Sequence, residues 1–311
     1  MSRFALAGLV VASTVLSTSS VGLAAPKFGP GSLLGLWQSF YGSPVAQQGV
    51  NTGFGNSTSG DLQYANGSEL DAAFAHTENG FTGLLFTGNL EANFNKIVIF
   101  IDDGSGLGQN TISGGADLPG QYNGFTFDAG FNATHYIIAN GGGSPYGWYV
   151  NAGNLVSGDG GYVGGNDGQS GGVLSGGGYA NSLIYSAIDN SNVAGVSGDP
   201  SAALVDPLTA LSGMEFVIDL SWLNLSGNTF RVTAFINGGG HDYASNQFLG
   251  SLPAFSGNLG GDGNGTYTGN LAGINLANIA GDQFFTVTVP APGVLAMLGV
   301  AGLARSRRRS H

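Results

Sequence analysis

Chemistry in this chain could reside in its histidines, in two adjacent acids at a strand end, or in a small set of aromatic residues. The histidines are His76, His135, His241 and His311, with His311 in the C-terminal tail. None sits in an HExxH helix motif, and the chain has no G-x-S-x-G elbow. His241 and Asp242 are neighbours. Strand neighbours point to opposite faces, so the two could act together only in a loop, as ligands. Glu215 and Asp219 lie four residues apart on one strand face, about 13 Å at ~3.3 Å per residue. Glycoside hydrolysis needs carboxyls ~5–9.5 Å apart, so these two are no catalytic pair. Asp102-Asp103-Gly104-Ser105-Gly106 places two carboxylates in a glycine turn, an arrangement suited to calcium, although the EF-hand pattern is absent. The same residues also suit a turn in which Asp102 bonds its own backbone. Tyr146, Trp148 and Tyr149 follow a glycine loop and, with Trp222, offer aromatic platforms for sugar rings. They suit a packed core equally. Because Trp148 and Tyr149 alternate, one of the two should face outward.

Composition narrows the partners. The 311 residues include 19 acids, all between residues 25 and 288, where the only bases are Lys27, Lys96 and Arg231. Nineteen negative against three positive charges leave this body at −16, which repels phosphate backbones and excludes nucleic acid as a partner. The same charge favours cations, calcium above all. Cysteine is absent, so disulfides, thiolate metal sites and thiol nucleophiles are excluded. The 57 glycines follow no triplet period, which excludes collagen. With 19 Phe, 11 Tyr and 3 Trp the chain is too aromatic for a disordered polymer.

The elements that must position these residues read as strands. Lys96 to Ile101 is a continuous β-branched run, expected to be central and covered on both faces. Tyr136-Ile137-Ile138-Ala139 and Tyr146 to Val150 predict a hairpin across a glycine loop. Further strands are expected at 81–86, 183–188, 213–220, 230–236 and 284–289. In 213–220, Met214, Phe216, Ile218 and Leu220 share one face. Tyr162-Val163 and Val173-Leu174 are weaker signals within an expected insertion near 155–180. Residues 104–123 and 254–273 read as loops, and Ile274 to Ile279 as a short helical segment. Without long helical patterns or a fixed repeat, α/β folds, solenoids and propellers are excluded. The expected fold is all-β: a jelly-roll-like β-sandwich with long Gly/Asn-rich loops, flanked by an N-terminal signal helix and a short apolar C-terminal helix.

Both ends carry addressing features. Arg3, the apolar run 4–14 and Gly22-Leu23-Ala24 form a secretory signal with cleavage expected after Ala24. At the other end Val289-Pro290-Ala291-Pro292-Gly293 precedes an uncharged apolar stretch, 294–304, and then Arg305, Arg307, Arg308 and Arg309. Eleven helical residues at ~1.5 Å each span about half of a ~30 Å bilayer core. This three-part tail resembles the PEP-CTERM sorting signal of exported bacterial proteins, with Ala291 where that family has glutamate. The resemblance implies signal peptidase and an exosortase-like sorting enzyme as partners, and a cell-surface or secreted location with transient anchoring by the tail. The expected division is therefore 1–24 signal peptide, 25–288 body and 289–311 sorting segment.

Within the body, the strand ending Phe100-Ile101-Asp102, then Gly213 to Leu220, then Phe230 to Gly238 resemble carbohydrate-binding β-sandwich modules of the family-nine type. The matching residues are Gly213, Glu215, Phe216, Ile218 and Leu220. The resemblance implies a polysaccharide partner. The expected function is that of a non-enzymatic surface or matrix protein with weak glycan binding. The alternatives are a purely structural matrix protein and a carbohydrate-active enzyme such as a glycoside hydrolase.

Overall fold

The computed structural model describes residues 41–169 and 171–290. The signal segment, residues 31–40 and the tail from residue 291 lie outside the described residues. What is described is a sandwich-like all-β fold of two sheets in which every strand pair is antiparallel. The six-stranded sheet runs β1 (Ala46–Gln47), β3 (Gly67–Glu78), β4 (Phe81–Asn89), β11 (Gly213–Asp219), β10 (Ile184–Ile188), and β2 (Phe54–Gly55) also pairs with β3. The eight-stranded sheet runs β13 (Ala244–Leu249), β12 (Thr229–Asn237), β5 (Asn93–Asp102), β6 (His135–Gly142), β7 (Gly147–Asn154), β8 (Asp159–Asn166), β9 (Ser175–Gly176), and β14 (Phe285–Thr288) joins β12.

Strand β5 lies between β12 and β6, as its β-branched run predicts. Period-two alternation sends Ile97, Ile99 and Ile101 into the space between the sheets. There they meet Leu84 and Phe86 of β4, and Met214, Phe216 and Ile218 of β11. Val98 and Phe100 point the other way, into a second core. That core is closed by the long loops rather than by a sheet. Ile112, Leu118, Tyr122, Phe125, Phe127 and Phe131 come from one connection, and Leu252, Leu259, Leu271, Ile274 and Leu276 from another. Phe100 sits edge-on to Phe127 at 4.9 Å, and Phe235 stacks on Phe125 at 5.3 Å and on Phe248 at 4.7 Å. The segments read as polar loops are thus a third layer whose aromatic residues stopper the larger sheet. The segment 274–279 holds a single 3-10 turn at Leu276–Asn278.

Two elements depart from the expected pattern. Residues 67–78, where no strand is expected from the sequence, form the 12-residue β3. Its register slips between Leu70 and Ala73, and a bulge puts Asp71 and Ala72 on the same face, which erases the alternation. Leu220 leaves the β11 pattern because Asp219 caps a short helix, α1 (Leu220–Leu223), by accepting from Ser221 N at 2.8 Å.

Helix α1 closes one end of the inter-sheet space with Trp222, whose ring lies 4.8 Å from that of His135. His135 is buried, and Asn154 Nδ2 lies 2.9 Å from its Nε2, which suits a neutral ring accepting that bond. Burial pulls the imidazole down from its ordinary 6.5 to about 4, opposed by the Asp103 charge and the Trp222 backbone. The unfolded chain therefore binds the proton first. The contribution is complete above about pH 6.5 and is lost as pH falls towards about 4. A His135→Gln variant should lack this term. Across that window the urea midpoint of the wild type should fall relative to the variant, and parallel midpoints would contradict the assignment.

Candidate functional site

The predicted hairpin forms as β6 and β7, with Asn140 opposite Tyr149 and Ile138 opposite Asn151. In β7, Trp148, Val150 and Ala152 face the inter-sheet core, which leaves Tyr149 and Asn151 on the outer face. Trp148 is 0% exposed and its Nε1 donates to Ser186 Oγ at 2.9 Å. The expectation of Trp148 as a sugar platform is therefore corrected: alternation commits it to the core. Tyr146 is likewise buried, its ring edge-on to Tyr64 at 5.5 Å. Trp222 is half-buried against His135 and places its Nε1 3.4 Å from Tyr179 Oη. Of the four aromatic candidates only Tyr149 stands open, at 39% exposure, and Tyr162 of β8 joins it at 36%.

Glycine explains how these rings lie. Gly165 pairs with Tyr149 across β7 and β8, and Tyr162 pairs with Asn151. A Cβ on Gly165 would come within 2.7 Å of Tyr162 Oη and 3.0 Å of the Tyr149 ring. A Cβ on Gly147 would strike the Tyr149 ring itself. The glycines remove side chains from the outer face so that tyrosine rings can lie along it. The two rings come together above Gly165.

Beside them opens a hollow of about 260 Å³ lined by Lys96, Asp117, Pro119, Ile138, Asn140, Asn151 and His241. Asn151 Nδ2 donates to Asp117 Oδ2. Lys96 Nζ donates to the Phe94 carbonyl at 3.1 Å and to the Gly239 carbonyl. Burial lowers its pKa to about 8, against the opposing Asp242 charge. His241, at φ 64°, brings Nδ1 to 3.3 Å from Tyr122 Oη. Burial and then the Lys96 charge pull it down to about 4, so it is neutral at pH 7. The arrangement offers amide, carboxylate, ammonium and imidazole groups next to aromatic planes, which can bind a polyhydroxy ligand. Asp117 is the one carboxylate among the lining residues, and the Asp242 charge acts on Lys96 and His241 beside it.

The other expected sites resolve differently. Asp102 Oδ1 accepts from Gly104 N at 2.9 Å, and Oδ2 accepts from Asn132 N at 2.8 Å and ion-pairs with Arg231. Asp103 Oδ1 accepts from Ser105 N at 2.8 Å. Of the two readings of Asp102 and Asp103, calcium ligands or a turn, these contacts show the turn. The turn and Arg231 occupy both Asp102 oxygens, so the pair works as a turn and an anchor. Glu215 is buried against the Tyr41 hydroxyl, whereas Asp219 caps α1, so the two acids serve separate ends of β11. Sequence reasoning missed Tyr162, Asn140, Asn151, Asp117 and Lys96. A trace of the signal was present, since Tyr162 stands alone as a large ring in Gly160-Gly161-Tyr162-Val163-Gly164-Gly165.

Compared with known family models, curated proteins and solved structures, the chain matches none.

Substituting Gly147→Ala should push the Tyr149 ring off the sheet and lower stability by about 1–3 kcal/mol. Gly178→Ala, with open space around it, should stay within about 0.5 kcal/mol of wild type. Urea unfolding of both variants checks this; equal midpoints would show that the ring yields without cost.

Proposed function

We propose that this is an exported surface or matrix protein that binds a polysaccharide weakly, without catalysis. The carrying observation is the outer face of β6–β8. There Tyr149 and Tyr162 come together beside Asn140, Asn151 and Asp117 on a strip cleared by glycine. Flat rings beside fixed hydrogen-bonding groups suit the faces and hydroxyls of sugars. The resemblance of the strands around Phe100-Ile101-Asp102 and Gly213 to Leu220 to family-nine-type carbohydrate-binding modules, and with it a jelly-roll-like arrangement, agrees with this reading. The full-length protein on a glycan array should show saturable binding that Tyr149→Ala and Tyr162→Ala each reduce about fivefold or more, roughly 1 kcal/mol for one lost ring. Trp222→Ala, away from this face, should leave affinity unchanged. Absence of binding to every polysaccharide would favour the purely structural matrix role, and sugar products released in the same assay would favour an enzyme.

The addressing reading is also ours. The signal ending at Ala24 directs export, and Val289, Pro290, Pro292, Gly293 and the arginines 305 and 307–309 direct sorting. Pro290 is exposed at the end of the described residues, just after Val289 N bonds the Asn228 carbonyl at 2.8 Å. Fractionation with intact-mass measurement should find a processed species outside the cytoplasmic membrane. A soluble cytoplasmic species of all 311 residues would overturn this.

A further inference from the structure

Strand β3 carries two acids, Glu69 and Asp71, that are 0% exposed. Leu70 between them points into the inter-sheet core, so both acids point to the outer face of the smaller sheet. That face is covered by Tyr41 and by the connection that contains Leu208. All four carboxyl oxygens are buried and none has a hydrogen bond of normal geometry, although the Ser197 amide faces Glu69. Their surroundings are otherwise well paired. Thr87 Oγ1 bonds Ala72 at 3.1 and 3.3 Å, and Asn192 Nδ2 serves Gly88, Asn89 and Ser212. A buried polar group left without a partner is costly, and a charged one more so. No protein cation relieves the pair among the described residues. Lys96 is engaged on the other sheet, and Arg231 is paired with Asp102.

A third orphan belongs to the same layer. Residues 45–52 run beside β3, with Gln48 N bonded to the Asp71 carbonyl and Thr52 Oγ1 to that of Ser68. Asn51 lies in this segment and is buried, its Nδ2 donating to the carbonyls of Asp199 and Ala203 at 3.3 and 3.2 Å. Its Oδ1 has no partner. Thr52 N bonds the Ser197 carbonyl, so Asn51 and Glu69 meet the same loop, 197–203.

We propose that Glu69, Asp71 and Asn51 Oδ1 are the side-chain ligands of a structural divalent-cation site, most suited to calcium. Every donor is a hard oxygen, with no nitrogen or sulfur ligand in the group. Calcium accepts a flexible oxygen shell that carbonyls or waters can complete, whereas magnesium demands near-octahedral geometry and keeps several waters. The bound ion fastens the 194–211 connection to the outer face of the smaller sheet. The rival state is an ion-free pair kept neutral by protons. Burial and then the Asp71 charge push Glu69 up, against the Ser197 backbone, and burial pushes Asp71 up as well.

The test uses the full-length protein, and it is independent of the glycan site because Tyr149→Ala should retain the ion. Elemental analysis should find about one calcium per chain. After chelation, calcium at ~100 times its Kd should raise the melting temperature by roughly 5–10 °C. Glu69→Gln/Asp71→Asn should lose both the ion and this response, and Asp103→Asn should keep them. A wild type that takes up no divalent cation and melts identically in calcium and chelator would overturn the proposal, as would unchanged binding in the double variant. Should the double variant fail to fold, the wild-type comparison alone decides.

Discussion

Strand β5 has no wet face, and the molecule is organised around that constraint. Its isoleucines need a partner sheet on one side, and Val98 and Phe100 need cover on the other. The second requirement is met by loop residues, because further strands would expose another edge and another face. Loops that would otherwise be free to vary are committed to the fold by Phe125, Phe127, Phe131, Leu271 and Ile274. Burying their backbone demands partners as well. Thr126 N bonds the Ile274 carbonyl at 3.0 Å and Leu276 N the Thr126 carbonyl at 2.9 Å, tying the two loops to each other.

This third layer reaches β7 through Asp117, which accepts from Asn151, and leaves Tyr149 and Tyr162 exposed beyond it. Under the loops the outer face is Val98, Phe100, Tyr136 and Phe235. Beyond them it is Asn140, Tyr149, Asn151 and Tyr162, with glycine between. The covered part buries apolar area, while the uncovered part keeps aromatic rings and amides accessible. The proposed binding face is thus the remainder of a packing problem, backed by the core beneath it. Trp148 and Val150 anchor that strip from the inside, each immediately next to an outward residue.

The smaller sheet is finished differently. Its outer face is largely polar, with Glu69, Asp71, Thr87, Asn89 and Glu215 all buried under the chain segments around 41–52 and 190–211. Asparagine amides and a tyrosine hydroxyl satisfy several of these groups, and a hydrogen-bonded cover of this kind fixes geometry more sharply than an apolar one. It also leaves the whole layer sensitive to how its carboxyls are neutralised.

The sequence by itself determined the strand-rich class, the doubly buried β5, the β6–β7 hairpin and the apolar face of β11, because each depends on alternation within a few residues. It also settled the absence of thiol chemistry and the acidic charge of the body. It left open which of Trp148 and Tyr149 faces out, since alternation says only that they differ. Tertiary structure decided that by placing the smaller sheet on the Trp148 side. It likewise decided that Asp102 belongs to Arg231, 129 residues away, and that β3 is a strand despite its bulge. Tyr162 joined Tyr149 only through the pairing of β7 with β8, and Asn51 joined Glu69 only through the covering loop. Local pattern reports which way a side chain points relative to its neighbours, whereas what it meets there depends on contacts between residues far apart in the chain.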